Sequence, residues 1–126
     1  MNTKSRVLIL EDDWGRVIEF KNKFPDSDYE LDVVENADEA IELLKEHVYS
    51  LICLDHDLDG EVYVNSLDPN TGYQVTVWMS KNKHVNIDTP VVIHSYNPVG
   101  ASNMFTALAC TNHKGKVVRQ PGFWLQ

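Results

Sequence analysis

The sequence predicts an α/β domain, a parallel sheet with helices on both faces. Three observations lead there. Apolar runs with little polar alternation, such as RVLIL and SLICL, read as strands buried on both sides. Segments of helical periodicity alternate with them, as right-handed crossover connections require. Acidic clusters follow the first and third runs, at the carboxyl ends of strands, where open α/β sheets bind their ligands.

The elements follow in chain order. Arg6–Leu10 is the first buried strand, ended by Glu11, Asp12 and Asp13. A helix follows with Trp14, Val17, Ile18 and then Lys21 or Phe24 inward, stopping before Pro25. Tyr29–Val34 alternates more and is expected at an edge. Asn36 is placed to cap the helix Ala37–His47, with Glu39 completing a capping box and Ala40, Ile41 and Leu44 buried. Ser50–Leu54 is the third strand, ending at Asp55. An insertion at about 61–71 precedes a helix from about Gly72 to Lys81; alternation at Val62 and Val64 suggests a short hairpin within it. Pro90–Ser95 is the fourth strand, and Asn97-Pro98-Val99-Gly100 reads as a turn. Ala101–Cys110 is a short helix, and Lys116–Arg119 is the fifth strand.

The 126 residues form one domain, 1–126, with no repeat or linker. No long apolar run predicts a membrane span or signal peptide, so a cytoplasmic protein is expected. Cys53 and Cys110 sit in apolar segments outside any CxxC, which fits a reducing compartment and small packed hydrophobes. A net charge of −8 opposes sequence-independent nucleic-acid binding. It leaves room for a small phosphorylated ligand, because a divalent cation reverses the local field.

Asp12-Asp13 after the first strand, Asp55 ending the third, Ser95 ending the fourth and Gln120-Pro121 after the fifth occur together in order. In this the chain resembles a response-regulator receiver domain. The resemblance implies a flavodoxin-like sandwich with sheet order 2-1-3-4-5, a magnesium-binding acidic pair and a phosphoaccepting Asp55. The chain departs from it where receivers carry a lysine, since Gln120 stands there, and it ends without room for the usual last helix. Leu54-Asp55-His56-Asp57-Leu58 with His94-Ser95 and Asn97-Pro98 is further similar to cyclic-phosphate-processing receiver domains. That similarity implies a metal-dependent phosphoesterase acting on cyclic phosphates of nucleotides or RNA ends. Asp55, His56, Asp57 and His94 would be catalytic, Ser95 and Asn97 substrate-binding, and Asp12, Asp13 and Asp55 metal ligands. A signalling or interaction domain, phosphorylated at Asp55 or degenerate, is the alternative.

Crowded carboxylates repel one another unless a cation or shared proton relieves them. Oxygen ligands suit Mg²⁺ or Mn²⁺, and a histidine shifts the preference toward Mn²⁺. His56 is a candidate general acid or base, as histidine side chains commonly are near neutral pH. If Ser95 points into the site, alternation turns His94 toward a helix layer; a twist at the strand end removes that objection. Asn97 before Pro98 is also an ordinary turn former. Trp14, Tyr63, Tyr73 and Tyr96 are candidates for a base-stacking wall, with Trp14 more commonly helix core. His84 and His113 are expected in solvent. Without a last helix, one face of strands one and five lacks cover. Phe123, Trp124 and Leu125 fold back over it, or a second copy of the chain buries it as a homodimer.

Overall fold

The computed structural model describes residues 4–58, 64–111 and 113–123. Its elements are β1 (Ser5–Leu10), α1 (Trp14–Lys23), β2 (Tyr29–Val34), α2 (Ala37–Glu46), β3 (Leu51–Leu54), α3 (Gly72–Lys81), β4 (Val91–Ile93), α4 (Pro98–Ala109) and β5 (Val117–Arg119). The five strands form one parallel sheet in the order β2-β1-β3-β4-β5. The alternating β2 is an edge strand, as its pattern predicts. The center strands are apolar on both faces because both are covered. Residues 59–63, including Tyr63 and the Val62 side of the expected hairpin at the start of the insertion, lie outside the described residues.

Strand parity divides the core in two. Leu8, Leu10, Ile52, Leu54, Val91 and Ile93 face α2, α3 and α4, meeting Ala40, Leu44, Val75, Met79, Met104 and Leu108. Val7, Ile9, Cys53 and Val92 face the other way, onto Phe20 and Phe24 of α1. The buried stripe of α1 is therefore Val17, Phe20 and Phe24, whereas Trp14 and Ile18 are exposed. Val17 and Phe24 are thus inward as expected, with Phe20 in place of Trp14 and Ile18. Lys21 lies over the Trp14 ring instead of in the core.

Asn36 caps α2 as expected, accepting the Glu39 N–H while its amide donates to the Glu39 carboxylate. The expected turn at residues 97–100 is the opening of α4, with Asn97 as its cap and Pro98 in the first turn. Cys53 is buried, but Cys110 is exposed at the end of α4. His84 and His113 are half-buried, stacked on each other and, through His84, against Trp78. They are not solvated loop residues.

Phe123 packs between Phe20 and Phe24, under Lys23, on the α1 face of the sheet. Trp124 and Leu125 lie outside the described residues. Phe123→Ala is expected to lower the unfolding free energy by about 1–3 kcal/mol, from lost burial of a partly covered ring. Urea denaturation measures it; an unchanged midpoint would show that the ring contributes no cover.

Candidate functional site

The strand register assembles the site. Leu10, Leu54 and Ile93 are aligned across β1, β3 and β4. The next residues in that row are Glu11, Asp55 and His94. The ladder continues through them, with Asp55 N–H donating to the Leu10 carbonyl and His94 N–H to that of Leu54. Their parity matches Ile9, Cys53 and Val92, so the three side chains lie on the α1 face. The His94 ring meets Phe20 edge-on at 5.0 Å between centroids. All three residues are buried, and their ligand-capable atoms lie within 4.8 Å of one another. Among the described residues this is the one such group of histidine and carboxylate donors.

Each member is fixed by its neighbours. One Glu11 oxygen accepts the backbone N–H of Asp12 and Asp13, at 3.1 and 3.2 Å. Its other oxygen faces His94 Nε2 at 3.2 Å. Asp55 Oδ1 accepts the His56 N–H at 2.8 Å. The Arg16 guanidinium approaches Asp55 at 3.5 Å, Glu11 at 3.7 Å and Asp13 at 3.7 Å. Arg16 thus supplies a counter-charge that sequence reasoning did not find. Burial raises the Asp55 carboxyl to about 7, with Glu11 adding repulsion and His94, the His56 N–H and Arg16 opposing it. Burial likewise raises Glu11, against the Asp13 N–H, Arg16 and a hydrogen bond with Asp55. Burial pushes His94 down to about 4, which keeps the imidazole neutral near pH 7 and able to ligate a metal.

Of the expected metal trio, Asp55 is in the row. Asp13 instead caps α1, accepting the Arg16 N–H at 3.1 Å, and is exposed. Asp12 is half-buried beside it. Glu11, which the sequence reading left unassigned, joins Asp55 and His94 in the row. The available signal was parity, since Glu11 follows Val7 and Ile9 on alternate positions.

His94 belongs to the acidic row, and His56 does not. The His56 ring is fully buried on the opposite face of the sheet, against Gly100 of α4. Its Nδ1 lies 2.8 Å from Asp57 Oδ1 and its Nε2 2.8 Å from Ser66 Oγ. Asn97 joins this second cluster. Its Oδ1 accepts the Gly100 N–H, and its amide donates to Asp57 and to the Val64 carbonyl. Ser95 is buried, accepts the Asn97 N–H and lines a separate cleft with Tyr96, Pro98 and Arg119. Tyr96 and Trp14 are exposed near the sheet end, while Tyr73 packs on the core. Among the described residues no helix is long and apolar enough to cross a membrane.

A parallel 2-1-3-4-5 sheet with an acidic row beyond its central strands defines a receiver-type domain. The chain belongs to the cyclic-phosphate processing receiver domain family, whose model matches residues 7–109. Solved receivers share the fold at low identity. The receiver domain of the sensor histidine kinase PA1611 from Pseudomonas aeruginosa, with magnesium in its active site cleft, superposes with a TM-score of 0.70 at 15% identity, covering 96% of this chain and 87% of that one. The signal receiver domain of a putative Luxo repressor from Vibrio parahaemolyticus gives 0.64 at 20%, covering 96% and 81%. A Burkholderia pseudomallei response regulator with a phosphorylated aspartic acid, calcium and citrate gives 0.65 at 13%, covering 97% and 63%. No curated protein matches the chain.

Proposed function

We propose that the Glu11–Asp55–His94 row is a divalent-cation centre that processes a phosphoester, with a cyclic phosphate of a nucleotide or RNA end as substrate class. The observation that carries this reading is the row itself: two buried carboxylates and a neutral imidazole converge where the sheet ends. The donor set fits Mn²⁺ or Mg²⁺, and its nitrogen favours Mn²⁺. Asp12, adjacent and half-buried, is the expected further carboxylate. When bound, the ion would supply Lewis acidity at a phosphoryl oxygen and lower the pKa of a water. Arg16 is placed to orient an anionic phosphoryl group, and Phe20 excludes water behind His94.

A hydrolysis screen of cyclic nucleotides and 2′,3′-cyclic RNA ends, with Mg²⁺ and with Mn²⁺, tests the reading. Turnover of at least one substrate is expected, falling about 100-fold or more in His94→Gln. No turnover on any of them would overturn it.

The receiver fold favours a second reading, a signalling domain with Asp55 as phosphoacceptor. Gln120, half-buried at the lysine position, supplies no cation for a phosphorylated state. Intact-mass spectra after acetyl phosphate treatment separate the two: a stable, stoichiometric Asp55 adduct would favour signalling. A second copy of the chain over the α1 face is a further proposed partner, tested by light scattering of the intact chain.

A further inference from the structure

We propose that Ser66 is a hydroxyl nucleophile, activated by His56 and Asp57, that attacks the phosphorus of a phosphodiester at the start of α4. The substrate class rests on the phosphoester reading; the hydrogen bonds that define the nucleophile are independent of the Glu11–Asp55–His94 row.

The proton positions follow from the partners. Asp57 Oδ1 accepts from the Val64 N–H at 3.1 Å and the Asn97 amide at 3.0 Å, as an ionised carboxylate does. The His56 nitrogen 2.8 Å away therefore carries its proton toward Asp57. Asn97 Nδ2 lies 3.3 Å from that nitrogen, but both groups are donors, and the amide spends its protons on Asp57 and Val64. In the neutral ring Nε2 is then the bare acceptor. Ser66 Oγ, 2.8 Å from it, accepts from the Asn103 amide at 2.9 Å and is left to donate its own proton to His56. Nucleophile, base and orienting carboxylate stand in hydrogen-bond sequence.

His56 is fully buried with both ring nitrogens engaged, so Ser66 is its route to a ligand. Ser66 is half-exposed and lines a cleft of about 500 Å³ with Val64, Asn65, Asn97, Pro98 and Asn103. The twelve-residue α4 opens at this cleft, and the partial positive charge of its first turn favours an anionic phosphoryl centre. In the step, the Oγ–P bond forms as a P–O ester bond breaks. The Oγ proton passes to Nε2 and then to the leaving oxygen. Water next attacks phosphorus, its proton returns through Nε2 to Oγ, and the O–P bond to serine breaks.

An alkyl fluorophosphonate tests the nucleophile directly, since Oγ displaces fluoride at phosphorus and His56 takes the proton. Intact-mass and peptide mapping of the folded chain should show one adduct, on Ser66. It should form equally with EDTA, slow about 100-fold in Asp57→Asn and vanish in Ser66→Ala. No adduct on the wild type, equal labelling of Asp57→Asn, or an adduct that persists in Ser66→Ala would overturn the proposal. Labelling at Ser66 without turnover of any cyclic phosphate would instead retain the nucleophile and reject the phosphoester reading.

Discussion

Asp55→Asn is expected to abolish saturable Mn²⁺ binding while making the ion-free chain more stable at neutral pH. The substitution keeps the shape of the side chain and an acceptor for the His56 N–H, but removes the charge that a cation needs. Affinity by calorimetric titration should fall at least about 100-fold, because one of three donors is lost. Stability moves the other way. The Asp55 carboxyl titrates at about 7 in the fold against 3.8 ordinarily. Its folded pKa is raised, so its protonated form stabilises the fold fully below about pH 4, and that contribution is lost as pH rises through about 7. Three pKa units correspond to about 4 kcal/mol. Asparagine has no such loss. The stability difference should therefore shift in favour of Asp55→Asn as pH rises from 4 to 7, read from urea midpoints. Parallel pH profiles, or unchanged Mn²⁺ affinity, would show that Asp55 is not the buried charge of the row.

Gly100→Ala is expected to be among the most damaging single-atom additions in the chain. A Cβ there would stand 2.4–2.6 Å from three atoms of the His56 ring. That ring cannot swing away, because Asp57 and Ser66 hold both its nitrogens. Either α4 shifts or the hydrogen-bond sequence breaks, at a cost of about 3 kcal/mol or more. Gly15→Ala provides the contrast. Its Cβ would meet only Asp13 Oδ2 at 3.5 Å, on the exposed first turn of α1. There alanine should stabilise by about 0.5–1 kcal/mol through helix propensity and reduced unfolded-state entropy. Thermal melts of the two variants should move in opposite directions. Similar shifts would mean that His56 has room to yield.

The sheet was legible because its signals are local. Apolar runs marked β1, β3, β4 and β5, alternation marked the edge strand β2, and the order followed from the receiver motifs. The α1 face was misread because Trp14 and Ile18 are apolar yet exposed, while Phe20, the ring that packs on His94, was passed over. The candidate site was half legible. Asp55 stood out at a strand end. Glu11 was hidden beside two more conspicuous aspartates, and parity alone separated them. Alternation counted from Ser95 turns His94 away from the site, whereas the buried row runs through His94 itself. Ser66 carried no signal at all. It lies in the insertion, ten residues beyond His56, and only the fold brings the two together.

Arg16 gives the acidic row a resident cation of its own. Its guanidinium stands among Glu11, Asp13 and Asp55 and beside the Tyr96 ring, so the acidic row is tolerable before any metal arrives. A dication held by the row would compete with this tethered charge. It would replace one positive charge by two and free the fork of donors on the arginine, at the rim, for an anion. On the proposed function, metal occupancy and phosphate affinity would then be linked through this one side chain.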